Sequence, residues 1–426
     1  VIPRLLSLAL ALALTTACLD EPARLPTAPP RTVEPAPVEP KPAPLAVKAP
    51  EVTFAPCARN SRSPAATAPS PEDEAARKVL RFIVETYARD PGDPWAIGHG
   101  MLALGKDMTL IDDRPAVDWL FEEYAEWRVV GGESLVAFPK RRGNTRIEPH
   151  TDLVLKALME SGVATDRQVV VAGQQATVAD LYRHSLHEAY VADDGKTSGY
   201  ESLEDAPWAL QALATVAPPD LTWVAQGGRP MTLGRMTDVL ARDLHAQTAF
   251  MRDAMARGET VEKQRQGIFS YACGGQHTLQ GVAYAVGRGF GSPDSRRIIE
   301  EEIGVLYWRM GVELGIYDKL IAENPDYQLI LLEQRLKFLG HFLESAHKMA
   351  AMELYVPTDA QKAQLQEARK QLVVTLSVLE QGGALQSLPA MRTDPKTYQT
   401  YLDFVGDSAH ALRGLDLATG QGTVCW

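Results

Sequence analysis

From residue 71 onward, apolar residues recur three and four positions apart. The first run, Ala76, Val79, Leu80, Ile83, Val84 and Tyr87, marks one face of an amphipathic helix. Ser70-Pro71-Glu72-Asp73-Glu74 precedes it with a capping serine, a proline fit for the first turn and acids suited to the helix N-terminus. The same period returns over 114–128, 151–162, 235–256, 296–322, 328–355 and 358–380, whereas only Gln168–Ala172 alternates as a strand. The pattern predicts an all-α body.

Ahead of that body the pattern changes twice. Arg4 is followed by an apolar run, Leu5 to Leu14, that is too short to span a membrane, and small residues then lead to Cys18. This layout resembles a bacterial lipoprotein signal, with Thr15 where the family usually carries Leu, Val or Ile. The resemblance implies removal of residues 1–17 and lipidation of Cys18. It places the protein outside the cytoplasm, attached to a membrane by lipid; Leu19 rather than Asp after the cysteine favours the outer membrane. Residues 18–70 hold the next segment, and 14 of the 29 prolines fall within 19–71. Stretches such as 35–44 favour extended polyproline II and predict a disordered tether without a packed core. The domain is expected to occupy 71–426.

Within the body a His or Trp recurs at the head of a short, small-residue-rich apolar stretch. The instances are His99, His150, Trp208, His277, His347 and His410, separated by 51, 58, 69, 70 and 63 residues. Each interval accommodates a helical hairpin. The more charged intervening segments, 235–256 and 358–380, suit an outer layer. Repeat period and helix composition resemble the (α/α)6 toroid superfamily of six-hairpin glycosidases, polysaccharide lyases, terpenoid cyclases, prenyltransferase subunits and lanthionine cyclases. The resemblance implies about six hairpins in a closed ring, with inner-helix N-termini converging on one mouth. Neither an Asp-rich cyclase motif nor the paired Cys and Cys-His of the lanthionine cyclases is present, so fold analogy assigns no activity.

Composition narrows the partners. The formal charge of −11 and the lack of a basic run exclude a nucleic-acid face. Of four cysteines, lipidation takes Cys18. Cys57 opens the ordered region and Cys425 lies next to the last residue, so a Cys57–Cys425 disulfide is expected, leaving Cys273 as the remaining thiol.

Two clusters carry candidate chemistry. Phe269-Ser270-Tyr271-Ala272-Cys273-Gly274-Gly275-Gln276-His277 places Tyr, Cys and His around a Gly-Gly break. Cys273 and His277 suit a nucleophile and base, or Zn²⁺ with a third ligand from His347 or His410; packing is the alternative. In 198–208, Glu201, Glu204 or Asp205 can act as acid or base on a sugar that stacks on Trp208, with helix capping as the alternative. Asp152 and Asp407 lie near His150 and His410 and are candidates to orient them. His184 and His187 read as a solvated helical face. The leading expectation is a carbohydrate-active hydrolase or lyase of the cell envelope working at the mouth, without a cofactor. Its catalytic residues would be His150, Glu201, Tyr271, His277 and His410, and its glycan or cell-wall ligand would lie against His99, Trp208 and His347. The alternatives are a non-catalytic binding or scaffold lipoprotein and a zinc enzyme using Cys273 and His277.

Overall fold

The computed structural model describes residues 47–55, 57 and 59–426. Cys18, the signal segment and the first part of the proline-rich segment lie outside the described residues. The described chain is mainly helical. We number its principal helices α1 (Pro71–Tyr87), α2 (Pro94–Leu104), α3 (Leu153–Glu160), α4 (Val178–Glu188), α5 (Ala206–Val216), α6 (Leu233–Gln247), α7 (Gln276–Gly287), α8 (Pro293–Glu323), α9 (Gln328–Ala351), α10 (Asp359–Gln381) and α11 (Tyr398–Ala418).

Local chemistry sets many of the boundaries. Ser70 and Asp73 form a reciprocal capping box at α1, with Pro71 in the first turn. Thr358 and Gln361 do the same at α10, and Thr177 and Asp180 at α4. The run expected over 235–256 divides at Thr248, whose hydroxyl donates back to the Leu244 carbonyl. The helix expected over 114–128 is a correction: helical turns end at Tyr124, and Glu126–Val130 pairs with Glu133–Ala137 around Gly131-Gly132. Further hairpins pair Gln168–Val171 with Gln174–Thr177, and Thr222–Ala225 with Arg229–Thr232. Positive φ at Ala172-Gly173 and at Gly227-Gly228 makes these turns, a conformation that glycine adopts at least cost.

The helices fall into two kinds. α2, α3, α5 and α7 are apolar and almost fully buried. α9 is buried from Leu331 to its end, although it is rich in charge, and most of α11 is buried too. These six pack in sequence, α2 on α3, α3 on α5, α5 on α7, α7 on α9 and α9 on α11, and α11 returns to α2. The more polar helices lie outside them: α6 against α5 and α7, α8 against α7 and α9, α10 against α9, and α1 against α11. One apolar core runs through the whole arrangement. Contact between α9 and α11 is close: a Cβ on Gly340 would meet Ala411 N at 2.8 Å and one on Gly414 would meet Gly340 O at 2.7 Å.

The described residues within 47–67 depart from the expectation of an unpacked tether. They form a strap over the C-terminal ends of the buried helices. Ala55 N donates to Val216 O, Thr67 N to Ala418 O, and Phe54 packs on Tyr182. Asn60–Ser61 pairs with Val424–Cys425, and Cys57 is disulfide-bonded to Cys425, as expected. Apolar side chains such as Phe54, buried to 7% exposure, give this stretch the packing energy that a Pro/Ala composition hides.

Candidate functional site

Near the N-terminal ends of α3, α5 and α7, seven aromatic and imidazole rings form one continuous set that begins with Trp95 on His99, 4.0 Å apart. His150 stacks on Trp208 with ring centres 4.5 Å apart, and Trp208 meets His277 at 4.7 Å. His277 lies 5.2 Å from His341 and 5.6 Å from His410; His341 and His410 are 4.0 Å apart; His410 is 5.4 Å from His99. His99, His150, Trp208, Cys273, His277 and His410, with Asp403 and Asp407, line one cavity of ≈ 30 Å³. The convergence expected of His150, Trp208, His277 and His410 is therefore present.

The helix register differs from expectation. Trp208 and His277 stand at helix starts and His150 just ahead of one, but His99 is mid-helix in α2 and His410 mid-helix in α11. His347 lies on the last turns of α9, where its Nδ1 meets Ser63 Oγ of the strap at 2.8 Å. It neither lines the cavity nor joins the ring set; His341 takes its place among the rings.

Carboxylates orient two of the rings. Asp205 Oδ1 lies 3.2 Å from His150 Nδ1, and Glu344 Oε2 lies 2.7 Å from His410 Nδ1. Neither expected partner has that role. Asp152 accepts from Ser185, and Asp407 faces Lys337 at 3.5 Å. Glu344 is fully buried. Burial would raise its pKa, but Lys348 and His410 override it and hold the group well below the carboxylate range. An ionised carboxylate only accepts, so His410 carries its proton on Nδ1 and turns Nε2 inward. That Nε2 has no hydrogen-bond partner, nor do Nδ1 of His277 or either ring nitrogen of His341, whose Nδ1 is 3.7 Å from Glu344. Burial, reinforced in His277 by Lys156 and in His341 by His410, drives both imidazoles far below their usual pKa; burial and His410 bring His99 to about 3. These rings are neutral at pH 7.

Cys273 joins the set through a strained loop. Cys273, Gly274 and Gly275 adopt left-handed φ of 50°, 59° and 76°. The glycines are required sterically: a Cβ on Gly275 would lie 2.2 Å from the Ile268 side chain. The Gly274 carbonyl is held by Arg309 at 3.0 Å. Cysteine in this conformation costs about 1–3 kcal/mol, a strain concentrated at functional sites. The ligand atoms of Cys273, His277 and His341 lie within 4.8 Å of one another, as do those of His341, Glu344 and His410. Thiolate and neutral imidazole form a zinc-type donor set.

Below the rings lies a layer of buried charge. Lys348 Nζ contacts Glu160 Oε2 at 2.6 Å and Gln280 Oε1 at 3.0 Å. It lies 2.6 Å from Glu344 Oε1 in an ion contact off the hydrogen-bond axis. Lys156 lies 3.1 Å from Glu160. Burial opposes ionisation of Glu160, but the two lysines hold it at about 2.

The remaining predicted residues stand apart. Glu201 is 68% exposed at its side chain and paired with Lys140 at 3.0 Å. Tyr271 donates to Asp243 of α6 at 2.9 Å. Trp208, 3% exposed and covered by His150 and His277, has no open indole face for a sugar. His184 and His187 are buried instead of solvated. The sequence reading missed His341, Glu344 and Lys348. Their signal is present in α9, where His341, Glu344 and Lys348 follow the i, i+3, i+7 spacing of one helical face. Comparison with protein-family models, curated proteins and solved structures finds no match.

Proposed function

We propose that this protein is a metal-dependent hydrolase of the bacterial envelope. Its six buried helices would be the inner ring of an (α/α)6 toroid, and lipid on Cys18 would hold it at the membrane. The observation that carries this reading is the convergence of Cys273, His277 and His341, with buried ring nitrogens that lack hydrogen-bond partners. Neutral imidazoles beside a thiol are poor general acids but good ligands for a divalent cation of the zinc class. Such an ion supplies Lewis acidity and lowers the pKa of water. Three ligands leave a position for water or substrate.

The chain's own residues then have distinct roles. Cys273, His277 and His341 would hold the ion. His410, fixed by Glu344, presents Nε2 as the proton acceptor, as expected of a carboxylate–histidine pair. His150, fixed by Asp205, is the second imidazole able to move a proton at the cavity wall. The carbohydrate reading has less support, because Trp208 has no open face and Glu201 does not line the cavity.

Metal titration of the full chain tests this. One equivalent of Zn²⁺ should bind, and Co²⁺ should give a thiolate charge-transfer band that disappears in Cys273→Ser. Loaded protein should hydrolyse 4-nitrophenyl phosphate or acetate faster than metal-free protein, and His410→Ala should lose that gain while still binding the ion. Absence of stoichiometric binding, or binding that survives His277→Ala and His341→Ala together, refutes the proposal.

A further inference from the structure

Cys273 also lines a second cavity, on the other side from His277. This one, again ≈ 30 Å³, is bounded by the 263–274 segment, α8 and α9, and His341 forms part of its wall. The proposed metal ligands thus lie between two cavities of different character. The first is aromatic; the second is cationic.

Three basic side chains line the second cavity, Lys263, Arg309 and Lys337, against a single carboxylate, Glu313. Glu313 is fully buried and both of its oxygens are used. Oε1 takes Arg309 Nε at 2.7 Å, and Oε2 takes Lys263 Nζ at 2.6 Å. Lys263 also donates to Tyr317 Oη at 2.7 Å. Burial works against charge on Lys263, but Glu313 outweighs it and raises the pKa. Lys337 pairs with Asp407, which lines the other cavity, at 3.5 Å. Three basic side chains thus share two carboxylates, Glu313 and Asp407. A surplus of buried positive charge is costly unless an anion joins it. Gln264 and Gln334 also line the cavity, with their amide nitrogens donating to Glu262 at 2.7 Å and Glu333 at 2.8 Å.

We infer that this second cavity is an oxyanion subsite, built to take the phosphate or carboxylate group of a small acidic substrate whose scissile bond reaches Cys273, His277 and His341. The link to a scissile bond rests on the proposed metal site; the anion subsite itself does not.

Isothermal titration of the full chain with inorganic phosphate and, separately, acetate tests it, with zinc content measured on the same samples. Metal-free and zinc-loaded protein are run side by side. Phosphate should bind both forms, and Lys263→Gln should weaken binding about tenfold or more, as expected when a charged donor to an oxyanion is removed. Lys263 lies outside the helices, so the variant should keep its far-UV spectrum. Because it also removes a 2.6 Å partner of the buried Glu313, its melting temperature is measured on the same samples and titrations are run well below it. Lys337→Gln is the second variant and should show the same loss. Phosphate binding without acetate binding identifies a phosphate-bearing substrate; binding of both identifies the carboxylate class as well. Zinc binding with no anion binding overturns the subsite and leaves the metal site standing. Anion binding that needs zinc and ignores both lysine variants also overturns it, because the ion alone would then capture the anion. Anion binding lost in the variants of a chain that takes up no zinc supports the subsite and refutes the metal site.

Discussion

Replacing Lys348 with methionine isolates the charged layer beneath the rings. Lys348 is fully buried, and methionine fills nearly the same volume, so the change removes charge without opening a cavity. It removes the 2.6 Å contacts with Glu160 and Glu344. Glu160 keeps Lys156 at 3.1 Å, while Glu344 keeps His410 at 2.7 Å, with His341 at 3.7 Å. Stranding one partner of a buried ion pair costs about 3–5 kcal/mol, and the retained contacts place this case near ~3 kcal/mol. With an unfolding entropy of about 2.1 cal/mol/K per residue over roughly 380 residues, that is a fall in Tm of ~4 °C. The sign with pH follows from the carboxylates. Their folded pKa values are depressed, Glu160 to about 2 and Glu344 well below its usual value, so their contribution is full above pH ~4.5 and fades as pH falls. The penalty of Lys348→Met should accordingly be largest at pH 7 and shrink below pH ~4.5. Lys348→Met with Glu344→Gln removes one charge of each sign and should be more stable than Lys348→Met alone. Urea unfolding at pH 7 and pH 4 measures all three proteins. A loss below ~1 kcal/mol at pH 7, or a double variant weaker than the single, refutes the reasoning.

Two shorter predictions concern packing and location. Gly340→Ala drives a methyl into the backbone of Ala411 between α9 and α11, and overpacking of this kind costs ~1–3 kcal/mol. Because His341 and His410 adjoin the contact, zinc affinity should fall along with Tm, and wild-type values for both would show that the spacing of these helices does not hold the rings in place. Cys18→Ala should move the protein from the detergent phase to the aqueous phase on Triton X-114 partition of producing cells; unchanged partition rules out lipid at this residue.

Much of the helical body was legible because burial follows period. Ala76 to Tyr87, with Ser70 and Pro71 before it, gave the start of α1, and the runs over 296–322, 328–355 and 358–380 correspond to α8, α9 and α10. The hairpins were less legible, since Glu126–Val130 and Thr222–Ala225 lack a clean alternation; Gly131-Gly132 and Gly227-Gly228 were the better signals. The strap was hidden by its prolines, although Phe54 and Cys57 in the same stretch need a buried partner. In the site, recurrence of His and Trp found five of the rings but selected His347 over His341. The two differ by six residues on one helix, and the strap's Ser63, which decides the matter, is 284 residues from His347 in sequence. The orienting carboxylates were missed for a similar reason. Asp152 and Asp407 are near their histidines in the chain, whereas Asp205 and Glu344 reach them from 55 and 66 residues away across neighbouring helices.

Charge in the middle of a helical core is a poor way to gain stability. Hydrophobic residues of similar volume would serve at least as well as Lys156, Glu160, Glu344 and Lys348. What such residues would not do is fix a proton. Lys348 keeps Glu344 ionised; ionised Glu344 keeps the proton of His410 on Nδ1; and that tautomer leaves Nε2 open beside His341 and His277. The charged layer and the ring layer thus form one device, and the stability cost of the first supports the orientation of the second. The Lys348→Met protein separates this account from simple filling of space. If Lys348 acts through Glu344, loss of the lysine loosens the 2.7 Å Glu344–His410 contact that fixes the Nδ1 tautomer. Hydrolysis of the nitrophenyl ester should then fall, while zinc stays bound through Cys273, His277 and His341. A variant that is less stable yet hydrolyses at the wild-type rate would mean that the lysine only fills the core.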